Sequence, residues 1–124
     1  MTISRAGVFA GLLLAASAAT AADISPAVVY DMGGKFDKSF NQGVYDGVER
    51  FKKETGIEYR EFEVTNETQR EQALRRMAQR GANPILGVGF AQAGPMEVVA
   101  KEFPDVKFTL IDGCLLYTSP SPRD

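Results

Sequence analysis

Short β-prone runs alternate with longer amphipathic stretches between Ala27 and Ile111, and this alternation restricts the chain more than any other feature. The runs are expected at residues 27–30, 57–64, 84–88 and 106–111. Each gap between them is long enough for a helix that crosses over between parallel strands. The pattern β-α-β-α-β-α-β predicts the α/β class, with helices carried to both faces of a doubly wound parallel sheet by right-handed crossovers.

The three helices have start and stop signals of their own. The first is expected over residues 39–55, where Phe40, Val44, Val48 and Phe51 make one apolar stripe and Gly56 ends it. Ser39 with Gln42 three residues on has the form of a capping box. Asn66 and Gln69 repeat that form before a second helix, whose inner face is Ala73, Leu74, Met77 and Ala78 and whose stop is Gly81. Arg70, Glu71, Arg75, Arg76 and Arg80 are expected on the solvated outer face of this helix. Gly94-Pro95 opens a third helix, with Met96, Val99 and Phe103 inward. The 57–64 run lacks strict alternation, which predicts a bulge or an edge position.

Between the first run and the first helix lies Asp31-Met-Gly-Gly-Lys-Phe-Asp-Lys-Ser-Phe-Asn41. Gly33 and Gly34 allow the sharp turn that this strand-to-helix loop needs. If the strands lie in the order 2-1-3-4, the first and third flank the switch point, where open α/β sheets bind ligands. Asp31, Gly89 with Phe90, and Asp112 would then open onto one crevice with Phe40 and Asn41. A flat base stacks on an aromatic ring, an amide both donates and accepts, and carboxylates accept from ring N–H groups or hydroxyls. Each residue also has a purely structural reading. Phe40 can lead the core stripe of its helix, Asn41 can be a first-turn polar residue, Asp31 and Asp112 can be turn formers, and Gly89 can serve a tight turn. Asp37 is expected to organise the loop or cap the helix.

Other chemistry is excluded by what the sequence lacks. Histidine is absent and the net charge is −2 with both signs interspersed, so neither His-based catalysis nor a nucleic-acid footprint is present. Gly87, Gly89 and Gly94 miss the spacing of a dinucleotide fingerprint. No Walker motif, nucleophile elbow or paired-cysteine metal site occurs, and the expectation is a binding protein without cofactor or metal rather than an enzyme.

The two ends stand apart. Residues 1–21 read as a secretory signal: Arg5, an apolar run over residues 6–16, and an Ala19-Thr20-Ala21 cleavage site. No cysteine lies there for a lipid anchor, so a soluble periplasmic product is expected, with no membrane insertion after cleavage. From Cys114 to Asp124 the composition changes abruptly, and the segment back-translates to a string that resembles the transposon-end adapter of sequencing libraries. It is expected to be adapter-derived, or else a disordered Pro/Ser tail. Residues 22–113 are then expected to be one partial lobe.

Asp31-Met-Gly-Gly and Asp37-Lys-Ser-Phe-Asn-Gln42 together resemble the opening of the basic membrane protein family, the purine nucleoside receptor A-like proteins. The resemblance extends over residues 27–113 and departs from the family's many lipoproteins at the missing cysteine. It implies part of the first lobe of a type I periplasmic-binding-protein fold, the substrate-binding component of an ABC transporter. It further implies a monomer that captures purine nucleosides between two lobes and delivers them to an inner-membrane permease. By matching positions, Phe40 would stack on the base, Asn41 and Asp112 would hydrogen-bond it, and Asp31 would lie near the sugar. A sugar- or amino-acid-binding protein of the same fold, an exported α/β enzyme with its catalytic groups elsewhere, and a ligand-binding sensor are the alternatives.

Overall fold

Four parallel strands and three helices follow one another in the expected order in the computed structural model, which describes residues 24–113. They are β1 (Ala27–Tyr30), α1 (Phe40–Thr55), β2 (Arg60–Glu63), α2 (Gln69–Gln79), β3 (Ile85–Val88), α3 (Ala93–Glu102) and β4 (Phe108–Ile111), with a single 3₁₀ turn (Phe90–Gln92) leading into α3. The readings of residues 1–21 and 114–124 lie outside the described residues.

The sheet order is β2-β1-β3-β4, and every pairing is parallel. The winding runs from β1 out to β2 and then back past β1 to β3 and β4, which places α1 on one face and α2 with α3 on the other. β1 is central and covered from both sides, and all four of its residues are buried. Alternate residues feed different cores: Ala27 and Val29 join the α2/α3 side, while Val28 and Tyr30 face α1. β2 lies at the edge, in keeping with its broken alternation. It is shorter than the apolar run predicted, beginning at Arg60, because only from there does its backbone meet β1, pairing Arg60 with Ala27.

Beneath α2 and α3 the core is apolar and continuous, including Leu74, Met77, Ile85, Met96 and Val99. Gly87 is part of the reason for this closeness. A Cβ there would stand 2.5 Å from Met96 Cε, so the missing side chain lets α3 settle onto β3. Gln92 is fully buried just before α3, and its amide donates to the carbonyl of Val29 at 3.2 Å, tying the α3 entry to the central strand.

Both capping expectations are corrected. α2 begins at Gln69 with Thr68 at its N-cap and no side-chain cap there, and Asn66 with Gln69 orders the turn that leads into it. Before α2, Asn66 Oδ1 accepts from the N–H of Thr68 at 3.0 Å, and Gln69 Oε1 accepts from the N–H of Asn66 at 3.3 Å. Before α1, the Ser39 side chain caps nothing. Asp37 does so instead, Oδ1 accepting from the N–H groups of Ser39 at 2.8 Å and Gln42 at 3.1 Å. Gln42 reaches back to the N–H of Lys38. The same reciprocal device is present, displaced toward the loop by a residue with the stronger acceptor.

Candidate functional site

Asp31, Phe40, Asn41, Gly89 and Asp112 come together around one cleft of about 160 Å³ at the carboxyl ends of β1, β3 and β4. Met32, Asp37, Val88 and Phe90 complete its lining. A larger hollow of about 590 Å³ lies along Glu49, Arg50, Lys52 and Lys53 of α1, but it is an open charged surface remote from the strand ends. The cleft is where the fold converges polar groups.

Asn41 occupies an unexpected place. It is only 3% exposed, and its amide faces the backbone of Asp31. Oδ1 accepts from the N–H of Asp31 at 3.1 Å, and Nδ2 donates to its carbonyl at 3.0 Å. The side chain thus pairs the peptide groups at the end of β1 as a neighbouring strand would. One Nδ2 hydrogen and one lone pair are left for any other partner. Phe40, beside it, is 58% exposed and does not lead the core stripe of α1. Phe90 is 76% exposed, so two aromatic rings stand open at the cleft.

The outer-face expectation for Arg70 is overturned. Arg70 is 9% exposed and reaches across from α2 to the Asp31 carboxylate. Its Nε donates to Oδ1 at 2.9 Å, and its Nη2 stands 2.8 Å from the same oxygen in an ion pair. The N–H of Met32 also donates to Oδ1, at 2.8 Å. The signal was available in the sequence: Arg70 precedes Ala73, Leu74 and Met77 by three, four and seven residues, which puts it on their stripe.

Gly89 is required where it stands. Its φ is 98°, and a Cβ would lie 2.8 Å from Asp31 Oδ2. Its N–H donates to the carbonyl of Ile111, joining the ends of β3 and β4, and its own carbonyl accepts from the N–H of Gln92. Asp112 follows β4 at φ 62°, in the left-handed region that Asp tolerates better than most residues. Desolvation pushes the Asp37 carboxyl up, but the N–H groups of Ser39, Gln42 and Asn41 outweigh it and hold the group below its ordinary value. Among the described residues no three His, Cys, Asp or Glu side chains gather to hold a metal.

The profile of the family described as ABC transporter substrate-binding protein, PnrA-like, matches residues 24–118. The chain belongs to this family. An uncharacterised lipoprotein of Pyrococcus abyssi is 38% identical to this PnrA-like chain over 90 residues, covering 72% of it and 22% of the relative. An ABC transporter nucleoside-binding protein of Lactococcus lactis is 26% identical over 97 residues, covering 75% of the chain and 28% of the relative. The solute-binding protein of an ABC transporter system from Aeropyrum pernix superposes with a TM-score of 0.71 at 32% identity, over 76% of this chain and 26% of that one. The PnrA-like chain therefore spans roughly a quarter of the length of these relatives. Its α/β architecture, a parallel four-stranded sheet flanked by helices, matches a lobe of the solute-binding-protein fold.

Proposed function

We propose that the full-length protein carrying this chain is the extracytoplasmic solute-binding component of an ABC importer and captures purine nucleosides. The observation that carries the reading is the pair of open rings, Phe40 and Phe90, at a cleft that also presents Asp31, Asp112 and the edge of Asn41. Rings of this kind stack on a planar base, and the carboxylates take its N–H groups or the sugar hydroxyls. The name of the Lactococcus lactis relative, a nucleoside-binding protein, supports the same ligand class. The chemistry is capture alone: a second lobe closes over the cleft and no bond is made or broken, so the protein is not an enzyme.

Its partners on this reading are the nucleoside and a membrane-embedded permease, and it acts as a monomer outside the cytoplasmic membrane. The name of the Pyrococcus abyssi relative, a lipoprotein, supports that location.

Titration calorimetry of the full-length protein with purine nucleosides, pyrimidine nucleosides, pentoses and amino acids tests the proposal. Saturable binding of purine nucleosides is expected, weakened about tenfold or more by Phe40→Ala, the range for losing one stacked base. Residues 22–113 alone should bind weakly, since one wall of the cleft is then missing. Saturable binding of a sugar or an amino acid, with nucleosides inert, overturns it.

A further inference from the structure

We propose that Arg70 is a positioning residue of the cleft, holding Asp31 by one carboxylate oxygen so that the other, Oδ2, is offered to a hydroxyl of the ligand's sugar. The inference rests on the nucleoside reading and deepens it. Arg–carboxylate pairs commonly engage both oxygens in a fork. Here Arg70 Nε and Nη2 both converge on Oδ1, and the N–H of Met32 joins them there. Among the described residues every hydrogen bond to this carboxylate falls on Oδ1. Oδ2 lies instead against Gly89, in contact with the space that a β-carbon would fill. The end of β3 has no side chain there to cover the oxygen.

The stem of Asp31 is fixed as well, because Asn41 pairs its N–H and its carbonyl. Backbone and carboxylate are thus held from two different helices, α1 and α2, and among the described residues Oδ2 takes no hydrogen bond, on a residue that lines the cleft. The side chains of Arg70 and Asp31 are 11% and 20% exposed, so the pair is partly withdrawn from water and its charges compensate each other locally. A carboxylate already compensated in this way suits a neutral donor, a hydroxyl, better than it suits an ammonium group.

The test is a set of titrations of the full-length protein and its Arg70→Gln and Arg70→Lys variants. The probes are guanosine and inosine with their 2′-, 3′- and 5′-deoxy analogues. In the unaltered protein one deoxy position should weaken binding about tenfold, the loss of a hydrogen bond to a charged group. Arg70→Gln should weaken the parent nucleosides about tenfold but that same deoxy analogue by less than about threefold, since the two changes remove one interaction. Arg70→Lys, which keeps the charge without the fork, should fall between. A merely structural arginine would weaken parents and analogues by the same factor. That result overturns the proposal, as does unchanged binding by either variant. If Arg70→Gln does not fold, the comparison of parent with analogue in Arg70→Lys decides alone. If the unaltered protein binds no nucleoside, the ligand reading fails and takes the sugar contact with it. Exchange of the Arg70 Nε–H proton then judges the geometry separately: it should be slow, and fast in Asp31→Ala.

Discussion

Under α2 and α3 the sheet meets a continuous apolar cluster that runs from Ala27 and Val29 through Leu74 and Met77 to Met96 and Val99. Under α1 the buried members are Val28, Tyr30 and Val88, with Val44, Tyr45, Val48 and Tyr59 only partly covered. The one buried residue of α1 itself is Asn41, whereas α2 buries Ala73, Leu74, Met77 and Ala78 alongside Arg70. One face is therefore held by area withdrawn from water, and the other by hydrogen bonds at the head of its helix and by phenols beneath it. The site lies where these meet, since Asp31 is gripped by Arg70 from the apolar face and by Asn41 from the polar one.

The largest effect should come from the apolar face. Leu74→Ala should destabilise the protein by about 2–5 kcal/mol, the range for a large-to-small change in a closed core. Val48→Ala should cost about 1 kcal/mol or less, because its site is already half open and less area is lost. Urea denaturation of both variants checks this. Equal losses would mean that the two faces are packed alike and would break the comparison.

Asn41→Ala should follow, at about 1–3 kcal/mol, because it leaves the N–H and carbonyl of Asp31 without their partner. On the α1 face a polar truncation should thus outrank an apolar one, the reverse of the opposite face. Hydrogen exchange sharpens the point: the N–H of Asp31 should lose protection in this variant and keep it in Val48→Ala. A loss for Asn41→Ala below that for Val48→Ala would remove the claim that α1 is anchored by its amide.

The sequence made one of these faces far more legible than the other. Periodicity names the inner residues of α2 and α3, and the alternation of runs and helices gives the order of elements and the α/β class, because both signals repeat over many residues. The strand order β2-β1-β3-β4 comes from the structure. The five cleft residues were also legible as positions, since each follows a strand end or opens a helix. Their partners were not. That Asn41 turns to Asp31 rather than outward depends on where α1 begins, and local pattern points to Ser39 as the cap when Asp37 in fact fills that role. Arg70 was misplaced for a different reason: its charge outweighed its position on the stripe. A buried arginine follows from the stripe only once a carboxylate is known to wait at its end, and Asp31 is distant in sequence.

The phenols beneath α1 allow a smaller but more selective probe of that face. Tyr30 is held well above its ordinary value near 10, by burial and then by the charge of Glu61, with neighbouring Tyr59 offsetting part of the shift. Tyr59 is also raised, by burial and then by its hydrogen bond to the Glu49 carboxylate, with Tyr30 and Glu61 adding to it. In a tyrosine the charged form is the deprotonated one, so the folded state keeps protons that the unfolded chain gives up. The resulting stability is fully present below about pH 10 and is lost as pH rises beyond it. Lys35, paired with Glu61 and raised by that bond, acts in the same direction. Thermal denaturation from about pH 8 to about pH 11 should show melting temperature falling at the alkaline end. In Tyr59→Phe one phenol is removed and the lysine remains, so the fall should be shallower by the share that Tyr59 carries. Leu74→Ala should shift the whole curve downward and leave its slope alone, because no titrating group belongs to the apolar cluster it disturbs. Parallel curves for Tyr59→Phe and the unaltered protein would place the alkaline sensitivity elsewhere and leave the α1 face without its distinguishing chemistry.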